Sequence, residues 1–120
     1  MATPYRTVRD EGVTATVTGQ VVKIGEGEIA YFVITNGGVV DAYFHIYDAL
    51  VADVSVGTTV PKASFPVPAG ADATHVGICE YNGPPIHFEV GAVYACTTSP
   101  LAAGSTTPVV SPNLGTLQYR

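Results

Sequence analysis

Charge, tryptophan, methionine and cysteine are what this chain has little of. Only 12% of its residues are charged, roughly half the share of an ordinary domain. Five cations stand against ten carboxylates, for a net charge of −5. A nucleic-acid partner needs a basic stripe to displace counterions from phosphates, and five scattered cations do not make one. The same shortage disfavours anionic membrane surfaces. No apolar run approaches the ~20 residues of a membrane helix. The opening "MATPYRTVRDEG" has no apolar segment of the signal-peptide kind. These absences argue for synthesis in the cytoplasm, with neither nucleic acid nor membrane as partner.

The two cysteines, Cys79 and Cys96, are too far apart for a Cys-x-x-Cys redox or zinc motif. Both fall in strand-like runs and read as small buried hydrophobes. A disulfide requires those strands to lie close, and a cytoplasmic origin argues against it. The three histidines, His45, His75 and His87, form neither His-x-His nor His-Glu-x-x-His. Such spacings place two nitrogens on one face toward a metal. Met1 is the only methionine, so a blue-copper set of His, Cys and Met is not assembled. No metal and no cofactor is expected.

Catalytic constellations are equally thin. Cys79 or Cys96 with His45 or His87 has no nucleophile elbow to support it. "GEGE" at 25–28 lacks the lysine and following helix of a phosphate loop, and its charge is wrong for one. Glu80 and Glu89 flank the turn at 82–85. If 75–80 and 86–91 pair as a hairpin, Glu80 stands beside His87, either as an acid–base pair or as a solvated rim pair. An enzyme built from distant residues would place at least two of His45, His75, His87, Glu80 and Glu89 in one pocket. The expectation is no enzyme.

What the chain does have is valine, threonine, alanine, glycine and tyrosine, the makings of strands and turns. Its 120 residues suit one domain, enough to bury roughly two-thirds of the unfolded surface. Residues 1–12 read as a polar arm and 13–120 as a single β domain. "VTATVTGQVVKI" (13–24) alternates about Gly19, a bulge or tight turn. "IAYFVITN" (29–36) is apolar on both faces, which predicts cover on both sides. Asn36-Gly37-Gly38 tolerates the positive φ of a tight reversal. "VVDAYFHIYDA" (39–49) is then expected to return as the hairpin partner, with Phe44 and Ile46 on one face and Tyr43, His45 and Tyr47 on the other.

Residues 50–61 read as a loop. "KASFPVPAG" (62–70) reads as an edge strand because Pro66 and Pro68 lack the ladder's N–H. "THVGICEY" (74–81), "IHFEVGAVYACTTS" (86–99, bent at Gly91) and "LGTLQYR" (114–120) complete the strands, with a loose Pro- and Ser-rich loop at 100–113. The prediction is an all-β protein, a β-sandwich of about seven or eight short antiparallel strands, jelly-roll-like or immunoglobulin-like.

Three stretches carry a family resemblance: "FVITNGGVVDAYFHIYDAL", "VGTTVPKASFPVPAG" and "GPPIHFEVGAVYACTTSPLA". Their pieces are Thr35-Asn36, Tyr47-Asp48, Val56-Gly57-Thr58-Thr59-Val60-Pro61, Pro68-Ala69-Gly70 and Phe88-Glu89-Val90-Gly91. Together they cover about residues 28–100, and the pattern resembles small bacteriophage virion proteins with a β-sandwich fold. The resemblance implies a head or tail accessory protein, with a capsid decoration, or cement, protein on the virion surface as the leading version. It would be a homotrimer whose partner is the phage major capsid protein. Sandwich core and sheet surface account for most of the tyrosines; the alternatives are a partner surface, since tyrosine joins an apolar ring to a polar tip, and a carbohydrate-stacking platform. Tyr31, Tyr43, Tyr47 and Tyr81 are the candidate interface. The alternative is a glycan- or host-surface-binding module of a phage tail or fibre, against which the lack of tryptophan counts.

Overall fold

The computed structural model describes residues 4–10, 19–37, 40–70, 77–97 and 112–120. These form strands β1 (Arg6–Asp10), β2 (Gln20–Ile24), β3 (Gly27–Asn36), β4 (Ala42–Asp48), β5 (Ala63–Val67), β6 (Gly77–Tyr81), β7 (Ile86–Phe88), β8 (Gly91–Thr97) and β9 (Pro112–Tyr119). A 3-10 turn sits at Val51–Asp53. One sheet runs β1-β9-β3-β6, with β7 also on β3, and the other runs β2-β8-β4-β5. All pairings are antiparallel. The protein is an all-β sandwich.

β6 pairs with Phe32–Asn36 and β7 with Gly27–Ile29 of the same strand, β3. The two are thus one strand interrupted at residues 82–85, where Pro84 and Pro85 cannot donate to a ladder. Counted so, the strands pair first with last, second with seventh, third with sixth and fourth with fifth. That is one long antiparallel ribbon folded over into two sheets, the jelly-roll arrangement. Of the two sandwich types expected, the connectivity selects this one. Because Gly77–Tyr81 and Ile86–Phe88 both pair with β3, the hairpin that would set Glu80 beside His87 does not form among the described residues.

The larger correction concerns residues 29–49. β3 and β4 are not hairpin partners; they sit in opposite sheets, and the segment after Asn36 crosses between them. Asn36 is fully buried. Its amide donates to Val40 O at 2.9 Å and Val67 O at 3.2 Å, tying the crossing to the end of β5. Each strand is nevertheless central in its own sheet. The hairpin partner of β4 is β5, an edge strand as its Pro66 requires.

Cover on both sides falls to β4 and β8 rather than β3. β3 slips register between Ile29 and Tyr31, so a bulge turns Ile29 and Phe32 to the same, inner face. Tyr31, Val33 and Thr35 on its outer face are only half-buried. In the other sheet, Tyr47, Val93 and Ala95 point outward yet are buried, because Val54 and Val56 of the loop after β4 fold back over them. Every residue of β8 is buried.

The main core lies between the sheets. Phe32 is its centre, with Phe44 and Phe65 each at 5.0 Å and Tyr81 stacked at 5.5 Å between ring centroids. Ile29, Ile34, Leu114 and Leu117 fill one wall; Val22, Ile46, Tyr94 and Cys96 fill the other. Cys79 and Cys96 lie in opposite sheets, packed in or against this core as small hydrophobes. Within the expected N-terminal arm, residues 6–10 are strand β1, paired with β9. Of the expected strand at 13–24, residues 13–18 lie outside the described residues; Gly19 has φ +80°, and the register shift falls between Val21 and Lys23. His75 and the loop 100–111 also lie outside the described residues.

Candidate functional site

Two crossings, β2 to β3 and β7 to β8, meet the end of β4 at one end of the sandwich. Gly91 is where they converge. A Cβ built there would lie 3.0 Å from Lys23 O and 3.1 Å from Ala49 O, which explains the glycine. Gly25 N–H donates to Val90 O at 2.9 Å and Ala49 N–H to Gly91 O at 3.2 Å. The Asp48 carboxylate takes the N–H groups of Glu89 (3.0 Å), Val90 (2.9 Å) and Gly91 (3.4 Å). Successive amides around a carboxylate form an anion nest.

Burial opposes ionisation of Asp48, but the three amides, aided by Lys62, outweigh it and hold the carboxyl below its ordinary value. A depressed folded-state pKa contributes stability that is present above the unfolded value, about 3.9. That contribution is lost as pH falls through the folded-state value. Asp48→Ala should cost about 1–2 kcal/mol at neutral pH, comparable to losing a helix cap. Urea titrations at several pH values should show the difference from the wild type vanishing in acid. A difference that persists at low pH would mean that packing, not charge, is what Asp48 supplies.

Beside this end, Glu26, Gly27, His87, Phe88 and Glu89 line an open cleft of about 370 Å³. Glu28 sits largely buried on its flank. It accepts from the Tyr5 hydroxyl at 2.6 Å and from Arg120 Nε at 2.7 Å, while His87 Nδ1 lies 3.5 Å away. The Arg120 guanidinium lies 4.4 Å over the Tyr5 ring, a cation–π contact. The Tyr5 hydroxyl holds the Glu28 carboxyl below its usual range against the opposing effect of burial, with Arg120 and His87 assisting. Glu28 in return pushes the Tyr5 phenol up. This constellation locks the start of β1 and the end of β9 onto β3.

The distant-residue enzyme reading asked for a pocket with two of its named groups, and the cleft holds His87 and Glu89. His87 is 74% exposed, and its register partner is Glu28 rather than Glu80. Glu80 instead accepts from the Tyr31 hydroxyl at 2.8 Å, which raises that phenol's pKa. His45 is buried, with Nδ1 at 2.7 Å from Ser64 Oγ and Nε2 at 2.8 Å from Thr97 Oγ1. Among the described residues no group of three or more His, Cys, Asp or Glu side chains is placed to hold a metal ion, and no helix is long and apolar enough to cross a membrane.

The four candidate interface tyrosines are not brought together. Tyr31 lies on the outer face of the first sheet and Tyr43 on that of the second, both half-buried. Tyr47 is 1% exposed under the 49–56 loop, where burial, with Cys96 adding, lifts its phenol to about 12. Tyr81 packs on Phe32 and Phe65 and donates its hydroxyl to Pro84 O. The exposed large apolar side chains among the described residues are mostly aliphatic: Ile24 at 74%, Val90 at 48% and Leu50 at 42% stand at the Gly91 end, and Val21, Val40, Val60 and Ile78 are exposed as well. Sequence reasoning missed the first three because Ile24 ends a strand, Leu50 follows one and Val90 precedes one, so each looks like an ordinary strand terminus. The signal available was a large aliphatic residue beside Gly25, Ala49 and Gly91, where a polar one is usual.

No family model matches the chain, and neither the curated proteins nor the solved structures give a match.

Proposed function

We propose that the chain is a non-enzymatic bacteriophage virion structural protein, a capsid decoration or cement protein. It binds the lattice of the major capsid protein as a homotrimer and stabilises the shell. The observation that carries the reading is the set of large aliphatic side chains at one cross-braced end of the sandwich. Clustered exposed apolar surface marks association sites. The family resemblance over about residues 28–100 supports it. So does the architecture, since jelly rolls recur in viral capsid domains, an analogy of fold only. A lattice multiplies modest contacts into avidity, so each copy needs only a small patch.

The glycan-binding alternative draws on one observation, the Glu26 and Glu89 carboxylates at the cleft, which can accept sugar hydroxyls. The cleft's phenyl ring, Phe88, is 1% exposed and offers no stacking face, which leaves the small imidazole of His87 as its exposed ring. Light scattering over a wide concentration range tests the oligomer. A trimer is expected, with a thermal midpoint that rises with protein concentration. A strict monomer with a concentration-independent midpoint would overturn the homotrimer and move glycan screening forward.

A further inference from the structure

We propose that Asn82 is a site of spontaneous deamidation, closing on Gly83 through a succinimide and opening to an aspartyl or isoaspartyl residue, while the fold keeps the same dipeptide at Asn36-Gly37 intact. This goes beyond the virion reading and does not depend on it. The chain carries Asn-Gly twice, at 36–37 and at 82–83. Glycine leaves the following amide nitrogen unhindered, which ring closure needs. The two copies stand in opposite surroundings. Asn36 is fully buried at the end of β3, in register with Gly77 and Pro112. Its side-chain amide donates to Val40 O and Val67 O. Closing a ring there means breaking both bonds and pulling the end of β3 from two neighbours. Only a locally opened chain can do that, and such openings are rare in the centre of a sheet.

Asn82 and Gly83 are both exposed and lie in the interruption between β6 and β7, outside either ladder. Among the described residues, neither the Asn82 side chain nor the Gly83 N–H has a hydrogen-bond partner. A Cβ at Gly83 would lie 3.1 Å from the Tyr81 ring and hydroxyl, so packing itself favours the residue that leaves Asn82 reactive. The step needs only water. Gly83 N attacks Asn82 Cγ, the new N–Cγ bond forms, and the Cγ–Nδ2 bond breaks as ammonia leaves with the Gly83 proton. Water then opens the ring. Attack at Cγ gives the aspartyl residue; attack at the backbone carbonyl carbon gives isoaspartyl, in which the chain runs through the side chain. Either product adds a negative charge to the turn of a protein already at −5. Isoaspartyl also lengthens the backbone between Tyr81 and Pro84, which the Tyr81 hydroxyl ties together. Tyr81 stacks on Phe32, so that product strains the core and the aspartyl one does not.

The test ages the full chain in mildly alkaline buffer, well below its unfolding transition, and follows both dipeptides by peptide mass spectrometry. Aspartyl and isoaspartyl products should accumulate at position 82 at least about tenfold faster than at position 36. In urea the two sites should react at similar rates, because only the fold separates them. Asn82→Gln, at an exposed position, should keep the thermal midpoint near wild type and lose the product. The isoaspartyl fraction should melt below the Asn82→Asp variant, which carries the charge without the longer backbone. Equal rates at the two sites in the folded chain would overturn the proposal. So would a site 36 that stays unreactive in urea, or an Asn82 still intact after the unfolded sample has reacted. Product at 82 without isoaspartyl would overturn the succinimide route, since direct hydrolysis of the amide gives aspartyl alone.

Discussion

Phe32→Ala should destabilise the protein by about 3–5 kcal/mol. Phe32 is fully buried and meets three other rings, Phe44, Phe65 and Tyr81. Those contacts join β3 of one sheet to β4 and β5 of the other, so the truncation opens a cavity between the sheets. Neighbouring rings cannot close it without leaving their own contacts, since Phe65 and Tyr81 also pack on each other at 5.4 Å. Removing one ring therefore costs both transfer energy and cavity energy. Phe44→Ala should act alike. The double variant should fall short of additivity, because the two rings touch and share one cavity. Urea unfolding with an unchanged m-value reads the loss directly. A cost under about 1 kcal/mol would contradict the central placement of Phe32.

The second large effect is expected from one methyl group. In Gly77→Ala the new Cβ would stand 1.7 Å from the backbone oxygen of Pro68 and 2.7 Å from its carbonyl carbon. Backbone cannot swing aside as a long side chain can. Either the start of β6 or the chain leaving β5 must move. That chain is pinned at Val67, whose carbonyl accepts from the buried Asn36 amide. Gly77 is itself the register partner of Asn36, so the clash strains the bolt that holds the crossing. We expect a loss of about 3 kcal/mol, the upper part of the range for overpacking. Gly37→Ala is the control: nothing lies within 4 Å of its Cβ position, and its cost should stay within about 0.5 kcal/mol. Equal effects at the two glycines would contradict the close approach of Pro68 to β6.

Tyr31 and Tyr47 add a signature at high pH. Both phenols are raised in the folded state, Tyr31 chiefly by its hydrogen bond to Glu80 and Tyr47 chiefly by burial. A raised folded-state pKa contributes stability that is whole below the unfolded value, about 10. It is lost as pH rises through the folded value, which for Tyr47 is about 12.

Local chemistry made the strand inventory legible in the sequence. The alternation Phe44/Ile46 against Tyr43/His45/Tyr47 is the alternation in the structure, because β4 has no bulge and period two holds. Pro66 marked an edge strand, because a missing N–H is a property of the residue itself. What depends on distant partners was not legible. Asn-Gly-Gly permits a hairpin and equally permits a crossing between sheets. The choice was made by Asn36 bonding to Val67, thirty-one positions away. The bulge at Ala30 sets Ile29 on the same face as Phe32, against strict alternation, with no local sign.

At the candidate site, tyrosine chemistry pointed to an interface, but tyrosines also fill cores, and Tyr47 and Tyr81 are committed there. Asp48 belonged to a recognisable Tyr-Asp pair, yet its nest is made by amides more than forty residues along the chain. The aliphatic end became visible only once the ribbon folding had brought residues 24, 50 and 90 together.

The most direct test of the proposed virion role is sedimentation of the purified chain with phage heads assembled without it. The account predicts that the chain pellets with the heads, saturates at a fixed number of copies per capsid protein, and raises the temperature at which the heads rupture. A chain that stays in the supernatant at saturating concentration, with head stability unchanged, would contradict it.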